Sequence, residues 1–274
     1  MIDKNYDLCI TIGINYIHDF ARSCGVLASY KSSKKIEFAT ISLSKTNLYG
    51  CSATIAIVDE EQRRYEKNEK FIPKYVINDT KLGIFDKNFH LKRMMTQLNI
   101  GMMLCCCNDV DYISRALAQK GVDIILKYCD MIITPNIELS ITKELIYGDY
   151  CITTAQNNTN YKQNEKCSYV LKIAEYLYYK NNIDFETSMA LLTPVVIQIL
   201  DVDNLQNANS IEQKIRVAIN SCDLRNLAFN DKDIKKIFST IDWKDFEKWF
   251  KNPVEKNKMM QIKQCIGKEF NNDL

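Results

Sequence analysis

The sequence predicts an α+β protein built on a bent, antiparallel β-ribbon, and three observations support this fold class. Two β-branched runs, Lys35–Ser44 and Cys51–Asp59, flank a link with turn residues, Lys45–Gly50, a pattern typical of a β-hairpin. The second run alternates cleanly between apolar and polar or small residues. In the first run the apolar positions change parity between Phe38 and Ile41, which indicates a bulge that would bend the strand, as in small barrels.

Further strands are predicted from alternation or from β-branched runs. Leu8–Ile14 alternates and is the first of them. Phe71–Ile77 contains Pro73, which lacks a backbone N–H and therefore favours the edge of a sheet. Val122–Thr134 and Thr193–Leu200 are rich in apolar and β-branched residues, so both are interpreted as strands.

Helical periodicity is found over Phe89–Cys107 and over Cys167–Lys180. A further helix is predicted over Asp111–Lys120 and is expected to end at Gly121. The C-terminal segment is also predicted to be helical. Its N-caps are Asp231 and Asp242.

Four aromatic residues of this C-terminal segment share one face at helical spacing: Trp243, Phe246, Trp249 and Phe250. Packing against the body of the protein is the default interpretation, and docking on a neighbouring protomer is the alternative.

Three segments are less determined. Tyr16–Tyr30 fits a short helix or a strand. Lys214–Ile219 alternates like a strand, whereas a helix over Ile211–Asn220 is the competing interpretation. Thr153–Lys166 is the most polar interval and is predicted to be a flexible loop.

Composition restricts the class of protein. A chain of 274 residues forms one large domain or two small ones, and its formal net charge is only +2. Any nucleic-acid site must therefore come from local clustering of Lys and Arg. No apolar run is long enough to cross a bilayer and the N-terminus lacks a signal-peptide layout, so we expect a cytosolic protein in which the 11 scattered cysteines are small buried hydrophobes.

No motif of catalysis or metal binding is recognisable. Cys105–Cys107 are adjacent rather than paired at zinc-ligand spacing, and the chain has only two histidines, His18 and His90. The glycines are isolated, which argues against a phosphate-binding loop. We therefore expect no catalytic residue, no metal and no cofactor, and a protein that is not an enzyme.

One segment, Arg63–Arg93, interleaves cations with aromatic rings. Bases stack on aromatic side chains while nearby cations neutralise phosphates, so this pattern favours sequence-independent binding of single-stranded nucleic acid. Interspersed glutamates leave a second interpretation open, that of a solvated charged loop. The candidate nucleic-acid-binding residues are Arg63, Arg64, Tyr65, Lys67, Lys70, Phe71, Lys74, Tyr75, Phe85 and Lys87, with Tyr49 and Lys45 from the hairpin link.

Several short stretches, taken in their order and spacing, resemble the poxvirus single-stranded DNA-binding phosphoprotein family. They are Cys24–Leu27, Lys35–Thr40, Tyr49–Ile55, Leu191–Val196 and Lys214–Ala218. The resemblance implies an OB-like antiparallel β-barrel core with added helices, which a bent first strand and hairpin would suit. One departure is that this chain lacks the family's acidic tail, which indicates a divergent member such as one from an insect poxvirus.

The resemblance implies a function and a domain layout. Residues 1–225 would form the OB-like core, with a helical insertion over about 89–190, and residues 226–274 a C-terminal helical segment. The protein would coat single-stranded DNA during genome replication in the host cytoplasm. It would self-associate along the strand through its C-terminal helices and contact viral replication proteins. The alternative is a viral host-interaction protein that binds a cellular protein and no nucleic acid.

Overall fold

A computed structural model of the chain describes residues 6–43, 51–58, 63–81, 86–106, 109–132, 137–159, 165–200, 231–250 and 256–270. These residues form two parts. A sheet part holds residues up to 81, and a helical part holds the rest.

The sheet part contains three parallel strands, β1 (Leu8–Gly13), β2 (Glu37–Ser42) and β5 (Tyr75–Asn78), in the order β1-β2-β5. Helix α1 (Asn15–Ser32) connects β1 to β2 and ends at Ser33, which adopts the left-handed conformation. The predicted first strand is confirmed over Leu8–Gly13. Of the predicted strand Phe71–Ile77, only the part from Tyr75 is a strand, and it lies at an edge of the described sheet. The segment Tyr16–Tyr30, which fits a short helix or a strand by its sequence, lies within helix α1.

The predicted hairpin between the two β-branched runs is wrong. β2 pairs in parallel with β1 and β5, whereas β3 (Thr54–Val58) pairs antiparallel with β4 (Arg63–Lys67). The change of parity in the first run has a different cause from a bulge. Three consecutive residues of β2, Phe38–Thr40, are buried because β2 is the central strand. Phe38 and Thr40 lie on the face that α1 covers, whereas the small side chain of Ala39 lies between Ile10 of β1 and Tyr75 of β5.

The expected OB-like antiparallel barrel is also wrong. The described strands form an open three-stranded parallel sheet and a separate two-stranded hairpin, and most described residues are helical. A small core of its own holds the sheet part together, in which Phe38 of β2, Ile55 of β3 and Val26 of α1 are buried.

The helical part begins with five long helices: α2 (Lys87–Cys106), α3 (Tyr112–Ile132), α4 (Leu139–Asn158), α5 (Glu165–Asn181) and α6 (Phe185–Leu200). Helix α2 packs against α3, α4 and α6, so it is buried along most of its length. The helices predicted over Phe89–Cys107 and Cys167–Lys180 are confirmed.

Two predicted strands are helical instead. Val122–Ile132 continues α3 beyond Gly121, and Thr193–Leu200 is the second half of α6, with Pro194 inside the helix. Thr193–Leu200 is buried on nearly every side, and such helices carry the same continuous apolar runs as buried strands. In Val122–Ile132, by contrast, Asp123, Lys127 and Met131 are exposed at helical spacing, so this segment has the periodicity of a half-buried helix. The segment predicted to be a loop from Thr153 is helical to Asn158, where α4 ends.

Three C-terminal helices complete the helical part: α7 (Asp231–Ser239), α8 (Trp243–Glu247) and α9 (Lys256–Phe270). The predicted N-cap Asp242 is confirmed, because its side chain accepts hydrogen bonds from the backbone N–H groups of Lys244 and Asp245. Asp231, by contrast, is the first residue of α7 rather than its cap. The predicted strand over Lys214–Ile219 lies outside the described residues.

The C-terminal aromatic face packs against the body of the protein. The rings of Phe246 and Trp249 both lie 5.5 Å from the ring of Tyr176 on α5, and Phe250 lies 5.3 Å from Tyr169. These contacts join α8 and the residues after it to the core of the long helices. The division at residue 225 stays a prediction. None of the described helices is long and apolar enough to span a lipid bilayer.

Candidate functional site

Arg22 of α1 is buried where the sheet part meets the helical part. Its Nη2 donates to Asp19 Oδ1 at 2.7 Å, and Nη1 donates to the backbone carbonyl oxygens of Ser52 and, at 3.3 Å, of Phe71. A fully buried guanidinium is tolerated only when its donors are satisfied, and here they are used to tie three chain segments together. The i,i+3 spacing on α1 explains why Asp19 lies within reach.

His18 lies on the first turns of the same helix and is buried. Its Nδ1 is 2.6 Å from the Thr11 hydroxyl of β1. Burial, reinforced by the neighbouring Arg22 cation and opposed by the Gly13 carbonyl, lowers the pKa of His18 to about 4. His18 is therefore neutral at physiological pH and acts as a polar anchor of α1 on the sheet.

Asn157, near the end of α4, holds the backbone just before β3. Its Oδ1 accepts from the N–H of Ala53 at 2.7 Å, and its Nδ2 donates to the carbonyl of Cys51 at 3.1 Å. Because Arg22 binds Ser52 between these two residues, the segment 51–53 is clamped from α1 on one side and from α4 on the other.

Two facing helices bring polar side chains to the same region. On α2, His90, Arg93 and Gln97 are spaced by three and four residues, so they share one face, and all three are buried. On α4, Asp149 and Thr153 are buried in the same way. Helices α2 and α4 pack against each other, so both polar faces lie within the core of the helical part.

Cys51 connects these groups electrostatically. Burial, together with Asp149, raises the pKa of its thiol to about 12, although Arg22 and Arg93 oppose the rise. Cys51 is therefore a neutral thiol and a poor nucleophile. We call five residues the seam cluster, because Asn157 bonds to the backbone of Cys51 and the charges of the other three act on the Cys51 thiol: Arg22, Cys51, Arg93, Asp149 and Asn157.

The seam cluster has a defined chemical capacity. A guanidinium group buried in a low-dielectric interior stabilises negative charge on an oxygen that it contacts, and Arg93 is the candidate because the donors of Arg22 already bind Asp19, Ser52 and Phe71. Within the described part of the chain, Gln97 Oε1 and Thr153 Oγ1 have no hydrogen-bond partner. Buried oxygens of this kind are usually satisfied by water or by a ligand, so they mark a polar interior that can accept O–H donors.

The described residues do not fit a metal centre. No group of three or more His, Cys, Asp and Glu residues that could hold a metal ion occurs among them. The whole chain has two histidines, and both are buried on separate helices. The neutral thiol of Cys51 and the neighbouring guanidinium groups would also disfavour a cation in the seam cluster.

The turn between β1 and α1 lies at the carboxyl end of the parallel strands, which is where open α/β sheets bind ligands. Gly13 is at this turn with φ 157°, and a Cβ there would lie 2.6 Å from Ile17 Cδ1. A dinucleotide fingerprint would also need glycine at the positions of Asn15 and His18. The turn therefore does not fit that fingerprint.

The residues predicted to bind nucleic acid lie in several places. Arg63, Arg64, Tyr65 and Lys67 are on β4, and Lys87 begins α2. Phe85, Tyr49 and Lys45 lie outside the described residues.

The remaining predicted residues lie between β4 and β5 or at the start of β5. Phe71 is buried in the small core, and the Lys70 ammonium is 4.1 Å from the centre of the Tyr30 ring. Lys74 forms an ion pair with Glu37 at 2.8 Å, while Tyr75 is exposed on β5. The cations and rings in this group are thus mostly engaged with other parts of the protein.

Of the comparisons with known proteins, the one with solved structures finds similar proteins. No protein-family model and no curated protein matches the sequence. The fold, however, is similar to that of a 1,3-propanediol oxidoreductase, with a TM-score of 0.71 and 14% identity over 96% of this chain and 77% of the other.

Two other solved structures show the same similarity. An iron-containing alcohol dehydrogenase from Corynebacterium glutamicum matches with a TM-score of 0.71 and 13% identity, over 96% of this chain and 74% of that one. A maleylacetate reductase from Agrobacterium tumefaciens matches with a TM-score of 0.68 and 11% identity, over 94% of this chain and 73% of that one. The chain therefore has the fold of these dehydrogenases and reductases.

This finding overturns the predicted resemblance to the poxvirus phosphoprotein family. The hairpin that carried the resemblance does not form, and Leu191–Val196 is part of helix α6. Structural similarity to oxidoreductases over almost the whole chain replaces it.

The resemblance therefore no longer supports the predictions of function that were drawn from it. Coating of single-stranded DNA, and single-stranded DNA and viral replication proteins as partners, are wrong. So is the expectation of a protein that is not an enzyme, because the chain shares its fold with enzymes. The location in a host cytoplasm is untouched by these comparisons and stays a prediction.

Sequence reasoning missed the seam cluster entirely. Arg22 lies in the segment that fits a helix or a strand, and Arg93 is the last cation of the Arg63–Arg93 segment predicted to bind nucleic acid. Asp149 and Asn157 belong to no motif. The usable local signals are the helical spacing of Asp19 and Arg22 on α1 and of Arg93 and Gln97 on α2.

Proposed function

We propose that the protein is an oxidoreductase that interconverts a small alcohol and its carbonyl compound, with its reaction centre at the seam cluster. The observation that carries this proposal is the similarity of the fold, over 96% of the chain, to a 1,3-propanediol oxidoreductase. The other similar structures, alcohol dehydrogenases and maleylacetate reductases, also act on alcohol or carbonyl groups by their names.

The seam cluster suits part of this chemistry. Reduction of a carbonyl group places negative charge on its oxygen, and a guanidinium that is already fixed nearby stabilises that charge without reorganisation. Arg93 is the candidate for this role because it lies on the buried polar face of α2. Gln97 and Thr153 would accept hydrogen bonds from the hydroxyl group of an alcohol.

The test is an activity assay on the full chain. The protein is incubated with NADH or NADPH and a panel of small aldehydes and ketones, with and without added iron or zinc, and the loss of reduced nicotinamide is followed. We expect turnover, and we expect Arg93→Gln to lower kcat on the order of 100-fold, as for the loss of one oxyanion donor.

Two controls keep the interpretation clear. Arg115→Gln changes an arginine of α3 outside the seam cluster and should leave kcat unchanged. Arg93→Lys retains the charge and should recover part of the activity. If Arg93 has only a structural role, both Arg93 variants should instead lose cooperative unfolding.

A second candidate function is ligand binding without hydride transfer. Two observations favour it: the missing glycines at the turn after β1, and the absence of a metal-ligand group among the described residues. This candidate predicts that small hydroxylated or carbonyl compounds raise the melting temperature although no nicotinamide is consumed. Such a result, with either nucleotide and any added metal, would contradict the oxidoreductase proposal.

A further inference from the structure

The parallel sheet has one covered face and one open face. In the register of the sheet, Leu8 pairs with Glu37, Ile10 with Ala39 and Ile12 with Ile41. On the other side of β2, Ala39 pairs with Tyr75 and Ile41 with Ile77. Because side chains alternate along a strand and neighbours in register point the same way, these residues form one face.

The opposite face is the covered one. Cys9 and Thr11 of β1 and Phe38 of β2 point to that side, where α1 packs, and all three are buried. The burial of β1 therefore alternates residue by residue, exposed and buried, along its whole length.

The open face is apolar and exposed. Ile10 is 59% exposed, Ile12 57%, Tyr75 51%, Ile77 50% and Leu8 42%. Parallel sheets almost always have both faces covered, so a bare face of branched aliphatic and aromatic side chains indicates a missing layer. The only charged residue in the register of this face is Glu37, which pairs with Lys74.

We propose that this open face, formed by Leu8, Ile10, Ile12, Ile41, Tyr75 and Ile77, binds the same face of a second copy of the chain. Two faces of parallel or antiparallel sheets pack well against each other at about 10 Å, and an isologous contact needs only a self-complementary surface. The self-association predicted from the sequence used the C-terminal helices and followed a DNA strand. The contact proposed here uses the sheet and needs no DNA.

The area is sufficient for such a dimer. A half-exposed Ile, Leu or Tyr leaves on the order of 100 Å² in solvent, so five of them give about 500 Å², near the upper end of what monomeric proteins expose. Two copies would then bury about 1,000 Å², which reaches the lower limit for a specific interface.

The charge at the rim is compatible with a symmetric contact. The Lys74 ammonium binds the Glu37 carboxylate at 2.8 Å, so this carboxylate is neutralised within one copy. Glu37 therefore does not bring an unpaired negative charge to the contact between two copies.

The experiment is sedimentation equilibrium of the full chain over a range of protein concentrations. We expect a mass of about twice the 31.8 kDa of one chain, falling towards one chain on dilution. Ile10→Lys places an unpaired charge in the interface and should raise the dimer dissociation constant more than about 100-fold.

A matched control is Ile113→Lys, because Ile113 of α3 is 70% exposed and lies off the sheet. It should leave the dimer intact. If Ile10→Lys fails to unfold cooperatively, Tyr75→Lys replaces it, with the exposed Tyr112 changed to Lys as control.

Two results would overturn the proposal. One is a wild-type chain that sediments as a monomer at every concentration, which would mean that another kind of partner or no partner covers the face. The other is a wild-type dimer that survives Ile10→Lys and Tyr75→Lys, which would place the interface elsewhere. Neither result bears on oxidoreductase activity, so the two proposals fail separately.

Discussion

At the scale of single residues, His18 gives the protein a pH-dependent stability. Burial and Arg22 lower its pKa from 6.5 to about 4 in the folded state. Below pH 6.5 the unfolded chain binds a proton that the folded chain does not bind, so stability decreases as the pH falls from about 6.5 to about 4. The loss from this group is about 3 kcal/mol.

This prediction is checked by urea unfolding of wild type and His18→Gln at a series of pH values. The variant should be less stable than wild type near neutral pH, because it disturbs the contact with Thr11. The difference should shrink as the pH falls, since only wild type has the histidine to protonate. A difference between the two proteins that does not depend on pH would contradict the assignment.

Buried charged residues of this kind are the part of the site that sequence could not reveal. Arg22 and Arg93 are indistinguishable by sequence from the solvated arginines around them. Their burial depends on partners that are distant in the chain, such as the carbonyl oxygens of Ser52 and Phe71 for Arg22. Local spacing shows only the contact between Asp19 and Arg22.

At the scale of elements, Gly121 shows how helix packing overrides local propensity. A Cβ at this position would lie 2.5 Å from Ile152 Cγ1 and 2.6 Å from the Gly148 carbonyl oxygen of α4. We expect Gly121→Ala to destabilise the protein by roughly 1–3 kcal/mol, because it forces α3 and α4 apart. This cost outweighs the gain of about 1 kcal/mol in helix propensity.

The control for this substitution is Ala116→Gly on the exposed side of the same helix. It should cost about 1 kcal/mol from propensity alone. Chemical unfolding of both variants measures the two effects separately. Stabilisation by Gly121→Ala would show that the helices do not approach as closely as described.

The burial of the helices explains which of them the sequence predicts correctly. Helices with a distinct polar side, such as α5, are predicted correctly from periodicity. Buried helices such as α6 lack that contrast and resemble strands. Gly121 suggested a helix end because glycine in a helix is costly, yet here it makes room for a neighbouring helix.

At the scale of the whole molecule, the sequence could not predict which strands pair. The runs that form β2 and β3 are adjacent in the chain and each is a strand, but β2 joins β1 through a helical crossover and β3 turns back on β4. Local pattern predicts strands and not their partners, so an antiparallel barrel and a parallel sheet fit the same runs. The register of β2 with two parallel neighbours decides between them.

The two parts of the molecule are joined through the segment 51–53, and this connection can be tested with Asn157. Asn157→Ala removes both its hydrogen bonds to the backbone of Ala53 and Cys51. We expect a loss of about 1–3 kcal/mol, because a partly buried N–H and carbonyl then lack partners. Asn158→Ala, at the next and exposed position of α4, should change stability by less than about 0.5 kcal/mol.

Hydrogen exchange followed by mass spectrometry separates this coupling from a general loss of stability. In Asn157→Ala, peptides that contain residue 53 and strand β3 should exchange faster, while peptides of α5 and α6 keep their protection under conditions of native stability. Arg22 still binds Ser52 in the variant, so the segment should loosen on the α4 side and stay attached to α1. Equal acceleration in the sheet part and in the helical part would mean that the clamp has no local role and that the two parts unfold as one unit.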